Sequence, residues 1–304
     1  MSKRVKIGKR ITVNISEWIE KAKADPQAHL ERQITEIFLA ALAMSEPFAN
    51  EIFLKGGILM GVVYKSPRQT GDIDFTAISE PSKEMAEALK AELNRAFPRA
   101  AAILGYPDLV CNVQSSRYEP SAKLFTKATG PLFALRVGYA RRGSPQERLF
   151  SSGNATHVLD VDIAFREPVN AIQIVSLGNE GMTVRAYSLL DLIAEKLRAL
   201  LQQPKRNRNR RQDIYDIACL LKQFPLDSDE RAQLLALLHE KCRARDIEPT
   251  REALSHHEVR DRAAKTGIRL VLSLKIYPTS IAALKSSIAF TARYRGSETE
   301  PKCF

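Results

Sequence analysis

The segment GDIDFTAI, residues 71–78, sets acidic and apolar side chains in alternation. Asp72 and Asp74 fall on one side and Ile73 and Phe75 on the other, the period of two that marks a strand. A strand with one apolar face has to bury that face against a second layer, so this chain needs a covered sheet. The two aspartates share the opposite face with Cα atoms ~7 Å apart at strand rise. Like charges that close persist on a solvent-facing edge or around a cation held between them.

The preceding residues favour the cation. In KGGILMGVVYKSPRQT, Gly56-Gly57 leads into a compact apolar run, Ile58 to Val63, that reads as a buried helix. Glycines let a phosphate approach the backbone, and the first free N–H groups of a helix attract anions. Gly-Gly alone is also a tight turn. Followed by a helix, a basic loop and an acid pair within some twenty residues, it supplies a triphosphate cradle beside a metal site. Hard divalent ions such as Mg²⁺ prefer carboxylate oxygen and bridge substrate phosphates.

Holding two such ions calls for a third carboxylate. The strand-like HVLDVDIAF, residues 157–165, offers Asp160 and Asp162 on one face. Asp162 is preferred because it precedes the apolar IAF as Asp74 precedes Phe75. It could share a metal and accept the proton of an attacking hydroxyl. A half-exposed alternating strand would account for Asp160 equally well.

Around these motifs the chain reads as an α+β half, residues 1–180, followed by a mostly helical half, residues 181–304, that completes the active-site cleft. The spacing predicts a helix from an N-cap at Ser16 to about Ala24. A second opens at Asp25-Pro26 and carries Ile34, Ile37, Phe38, Ala41 and Leu42 at helical intervals. EIFL at 51–54 is a short strand, and SKEMAEALKAELNRAF is an amphipathic helix capped by Ser82. Further strands are expected near 109–114, 132–140 and 157–165. From about Arg185 the pattern turns to helices, and the tail from about Lys285 reads as loosely ordered. Strands precede the helical run instead of alternating with it, so a doubly wound parallel sheet is not expected.

Net charge is +11, a surplus that favours polyanionic partners. Seven cations crowd the sixteen positions from Lys196 to Arg211: Lys196, Arg198, Lys205, Arg206, Arg208, Arg210 and Arg211. The part from Lys205 to Arg211 lacks aromatic residues, so it suits phosphate contact better than base stacking. A solvated, salt-bridged hairpin is the alternative. Lys196 lies beside an apolar helical stripe, from which it could snorkel to solvent or reach a triphosphate. Asp213 and Asp216, three apart on the next helix, could orient a basic side chain.

Other chemistries find no support. The four cysteines contain no CxxC pair, and the five histidines show no HExxH or HxxxH spacing. The basic start MSKRVKIGKRITVNISEW lacks the apolar run of a signal peptide, and no stretch approaches the ~18 apolar residues of a membrane span. A cytoplasmic protein without membrane partners is expected.

Four blocks, FLKGGILM, RQTGDIDF, AEKLRALL and RRQDIYDIACLL, resemble in order the pattern of the AbiEii/AbiGii-type nucleotidyltransferase toxins of type IV toxin–antitoxin systems. The resemblance runs from about residue 25 to 225. It implies a polymerase-β-like nucleotidyltransferase fold with a mixed sheet. It also implies Mg²⁺, with two ions possible, and an NTP substrate. In the family's terms Asp72, Asp74 and, more loosely, Asp162 are metal ligands. Gly56 and Gly57 form the triphosphate turn, with Lys55, Arg68 and Thr70 beside it as nucleotide contacts. Lys196 is the catalytic or triphosphate-binding lysine and Asp213 the acid of the last block, with Asp216 near it.

Lys205, Arg206, Arg208, Arg210 and Arg211 would grip an RNA acceptor. The implied reaction transfers NMP to a hydroxyl, at the tRNA acceptor end in the family's known cases. The implied biology is a toxin with a cognate antitoxin, of the abortive-infection kind. Ile58 departs from the usual Thr and removes a hydroxyl near the phosphates. Thr70 replaces Ser, and Gln212 stands where Arg is usual. A non-catalytic NTP-binding module and a basic nucleic-acid-binding protein with a decayed site are the alternative classes.

Overall fold

The computed structural model describes residues 5–66, 70–178, 181–207, 210–250, 253–254, 256–264, 268–273 and 289–294. The chain divides into two compact units, Met1–Tyr187 and Ser188–Phe304.

The first unit carries β1 (Lys6–Val13), α1 (Ile15–Glu20), α2 (Pro26–Ala43), α3 (Phe48–Glu51), β2 (Ile52–Lys55), α4 (Gly56–Val62) and β3 (Asp72–Ala77). It continues with α5 (Lys83–Ile103), β4 (Leu109–Glu119), β5 (Leu132–Arg141), α6 (Glu147–Ser151), β6 (His157–Phe165), β7 (Ala171–Leu177) and β8 (Thr183–Tyr187). Its eight strands form one mixed sheet in the order β1-β7-β8-β2-β3-β6-β5-β4. β1/β7, β2/β8 and β3/β6 are parallel pairs, and the remaining neighbours run antiparallel. This is an α+β fold, as the order of strands and helices in the sequence implies, with the mixed sheet that the family resemblance implies.

The helices cover the sheet for reasons visible in their sequences. Asp25 caps α2 by accepting from the Gln27 and Ala28 amides, with Pro26 in the first turn where its missing N–H costs nothing. Ile34, Ile37, Phe38, Ala41 and Leu42 are all buried, and the Phe38 ring lies 5.8 Å from Phe75 and 6.1 Å from Phe97. Ser82 caps α5 by accepting from the Met85 amide at 3.0 Å. Ile73, Phe75, Val161 and Ile163, the apolar faces of the two central strands, are essentially inaccessible.

Several expectations need correction. α1 starts at Ile15 behind Asn14, not at a Ser16 cap, and ends at Glu20. α5 runs on through Pro98 to Ile103, because Ala100 and Ala101 continue its buried face past the proline. β4 extends to Glu119. β7 and β8 were not expected as strands: their alternation is short, and the buried Gln173 interrupts it, its amide donating to the Tyr64 hydroxyl.

The second unit contains α7 (Leu189–Leu201), α8 (Gln203–Arg206), α9 (Arg211–Gln223), α10 (Ser228–Arg243), α11 (His257–Ala264) and an antiparallel pair, β9 (Ile268–Ser273) and β10 (Ala289–Tyr294). Ser188 caps α7, and a capping box of Asp227 and Glu230 opens α10. Inside this unit Lys241 pairs with Asp191 at 3.4 Å, both buried. Most of the tail expected to be loosely ordered lies outside the described residues. Among the described residues no helix is long and apolar enough to cross a membrane.

Candidate active site

β3 and β6 lie side by side, parallel, with Asp72 opposite Asp160 and Asp74 opposite Asp162. Opposite residues in such a pair share a face, so four carboxylates sit on the face turned away from Ile73 and Phe75. The pairing joins segments some ninety residues apart, and it follows from two strands that each alternate acid with apolar residue.

Burial grades the acids. Asp72 and Asp160 are exposed, while Asp74 and Asp162 are partly buried. Asp160 pairs with Arg136 of β5 at 3.4 Å. Asp162 has no ion pair among the described residues. Burial first, and then the charges of Asp74, Glu119, Asp72 and Asp160, push its carboxyl up to about 6.

The glycine turn packs directly on this cluster. Lys55 of β2 lies opposite Asp74, and Gly56 follows with φ +69°, a left-handed conformation that glycine adopts without strain. A Cβ at Gly56 would stand 2.0 Å from Asp74 Oδ2, and one at Gly57 would stand 2.7 Å from Thr70 Oγ1. The Thr70 hydroxyl donates to Asp72 Oδ1. Gly56 thus packs on Asp74, Gly57 on Thr70, and Thr70 on Asp72. Ile58 is buried in the core.

Lys55, expected among the nucleotide contacts, has another engagement. Its ammonium forms a buried ion pair with Glu167. Thr76 donates to the same Glu167 oxygen at 2.5 Å, and the Tyr187 hydroxyl donates to Thr76 at 2.9 Å. The face of β3 that bears the aspartates therefore continues into a closed polar cluster. Sequence reading missed Thr76, Glu167 and Tyr187, which carry no motif and meet only through the sheet order. Arg68 lies outside the described residues.

In the second unit the Lys196 ammonium is buried between two carboxylates, 3.1 Å from Asp213 and 2.6 Å from Asp216. Asp213 also faces Arg210 at 3.9 Å. Lys205 and Arg206 are exposed. Arg208 and the side chain of Arg211 lie outside the described residues.

Among the described residues no group of three or more His, Cys, Asp and Glu side chains is gathered closely enough to hold an ion as it stands. The donor set nonetheless fits a hard cation. It is all carboxylate oxygen, it shares one face, and the repulsion that adds to burial in raising Asp162 is what a bound cation would relieve.

The family described as "Nucleotidyl transferase AbiEii toxin, Type IV TA system" matches residues 37–273. The chain is similar to MenT4, a nucleotidyltransferase toxin from Mycobacterium tuberculosis H37Rv, at 16% identity and TM-score 0.46, covering 79% of this chain and 76% of that one. It is similar also to JHP933 from Helicobacter pylori at 15% identity and TM-score 0.43, covering 79% and 92%. No curated protein matches.

Proposed function

Because the chain belongs to the AbiEii nucleotidyltransferase toxin family of type IV toxin–antitoxin systems, we propose that this nucleotidyltransferase is Mg²⁺-dependent and carries NMP from an NTP to a hydroxyl of RNA, the tRNA acceptor end being the expected target. The observation that carries this reading is the register of β3 and β6, which sets Asp74 beside Asp162 with Gly56 packed on Asp74.

Asp72, Asp74 and Asp162 would hold the metal. When bound, it would supply positive charge that offsets the negative charge developing on the phosphates. The acceptor oxygen bonds to the α-phosphorus, the bridge to the β-phosphate breaks, and pyrophosphate leaves. Asp162, on the same face as Asp72 and Asp74, is proposed to take the acceptor's proton. Gly56 and Gly57, at the start of α4, are proposed as the triphosphate turn. Lys196, whose ammonium is paired with Asp213 and Asp216, is proposed as the triphosphate-binding lysine that the family pattern implies. The exposed Lys205 and Arg206 are proposed to contact the RNA backbone. The family's biology makes a protein antitoxin the expected partner.

The test is incubation of the purified chain with each labelled NTP, Mg²⁺ and total tRNA. Label should appear on RNA and vanish with EDTA, with Asp74→Ala and with Lys196→Ala. NTP binding by the wild type without transfer, for all four nucleotides, would overturn the reading.

A further inference from the structure

On the first unit, a cavity of about 210 Å³ opens between α1, α2 and the start of β3, with Trp18, Glu31, Arg32, Thr35, Thr70 and Gly71 in its wall. No motif and no step proposed above uses Trp18, Glu31, Arg32 or Thr35. We propose that this cavity is a nucleobase subsite. The inference rests on Asp72 and Asp74 being the catalytic acids, since Thr70 and Gly71 immediately precede Asp72 and the Thr70 hydroxyl donates to Asp72 Oδ1.

Size comes first. Clefts that take a whole drug-sized ligand run to roughly 300–1,000 Å³. This cavity is smaller and suits one flat part of a larger molecule.

Its wall selects the part. The Arg32 guanidinium lies 4.6 Å over the Trp18 ring, and Nη1 donates to the Trp18 carbonyl. The plate is held in place, and a pinned guanidinium beside an aromatic ring is the kind of surface on which unstacked bases lie. Gly61 packs close to the Trp18 indole nitrogen, since a Cβ there would stand 2.9 Å from it. Glu31 accepts from the Gln27 amide at 2.9 Å, and an ionised carboxylate can only accept, which suits the amino or ring N–H groups of a base. The same carboxylate disfavours a phosphate in this cavity. Thr35 donates to the Glu31 carbonyl at 2.9 Å and Thr70 to Asp72, so each hydroxyl that lines the cavity has spent its proton and can meet a ligand only as an acceptor.

The base could belong to the incoming NTP or to the last nucleotide of the acceptor RNA. Either would place its sugar and phosphate next to Asp72.

Trp18 is the only tryptophan in the chain, so its emission reports on this cavity without any chemistry having to occur. The full-length protein is titrated in Mg²⁺ with each NTP, with a short single-stranded RNA, and with inorganic tripolyphosphate. Saturable change with NTP, or with RNA, and none with tripolyphosphate is the expected result; which of the first two responds identifies the source of the base. Arg32→Lys, which keeps the charge and loses the plate, and Glu31→Gln should each weaken that response roughly ten-fold or more, as loss of base stacking or of an edge contact does. Both variants should keep the wild-type melting temperature within a few degrees. No saturable change with either NTP or RNA, an equal response to tripolyphosphate, or unaltered affinity in both variants would overturn the subsite. None of these outcomes depends on NMP transfer, so failure of the enzymatic reading is seen separately, in the labelling assay.

Discussion

At the scale of single residues, the site is dense with constraints that a substitution can expose. Asp162 is the clearest. Its carboxyl is raised from 3.8 to about 6 in the fold, so ionising it opposes folding. That penalty is absent below the unfolded value, grows as pH rises through this window, and is complete above about 6. Asp162→Asn should therefore melt at a higher temperature than wild type in EDTA at pH 8, with the gap closing toward pH 4, and should lose NMP transfer. Differential scanning fluorimetry across pH would show it; equal melting curves at pH 8 would refute the burial and repulsion assigned to this group. Gly56 is the second such residue. Gly56→Ala would place a methyl where the Asp74 carboxylate sits, at a φ of +69°. The left-handed backbone alone costs about 1–2 kcal/mol. Displacing Asp74 by about an ångström should cut transfer on the order of a hundred-fold, measurable with the labelled-NTP assay in samples whose far-UV circular dichroism is unchanged.

At the scale of elements, β3 is graded along its acidic face from exposed Asp72 through partly buried Asp74 to fully buried Thr76. The buried end is tied to β2, β8 and the turn after β6 through Lys55, Glu167 and Tyr187. A buried ion pair contributes little net stability while intact, but removing one partner strands the other charge at a cost of about 3–5 kcal/mol. Glu167→Leu should lose stability on that order in urea unfolding. The double variant Lys55→Met with Glu167→Leu should recover a large share of the loss. If the two single losses add in the double variant, the cluster is not coupled. Sequence periodicity showed the strand and its two faces. It could not show Glu167, which stands after β6 with no motif around it and meets Lys55 only because β2 and β6 flank β3. β7 escaped for the opposite reason: Gln173 faces inward, and one buried amide breaks a short apolar alternation.

At the scale of the whole molecule, every pairing of the eight-stranded sheet lies within Met1–Tyr187. A fragment of residues 1–187 should therefore unfold cooperatively on its own, and a broad non-cooperative melt would contradict the division. The full chain carries +11, so the logarithm of the affinity for the proposed RNA acceptor should fall linearly with the logarithm of salt concentration. Replacing Lys205 and Arg206 with Ala should flatten that slope by roughly one to two units, and an unchanged slope would remove them from the RNA interface. What the sequence by itself determined was local: strands of period two that put each acid pair on one face, a glycine turn before a buried helix, caps at Asp25 and Ser82, and the ordered blocks that place the chain in its family. Those features are readable because they are set by neighbours a few residues away. The tertiary structure alone decided that Asp74 stands beside Asp162, that the Lys55 ammonium belongs to Glu167, and that Trp18, Arg32 and Thr70 line one cavity. Each of these depends on strand order and helix placement across tens of residues, which packing fixes and no local pattern encodes.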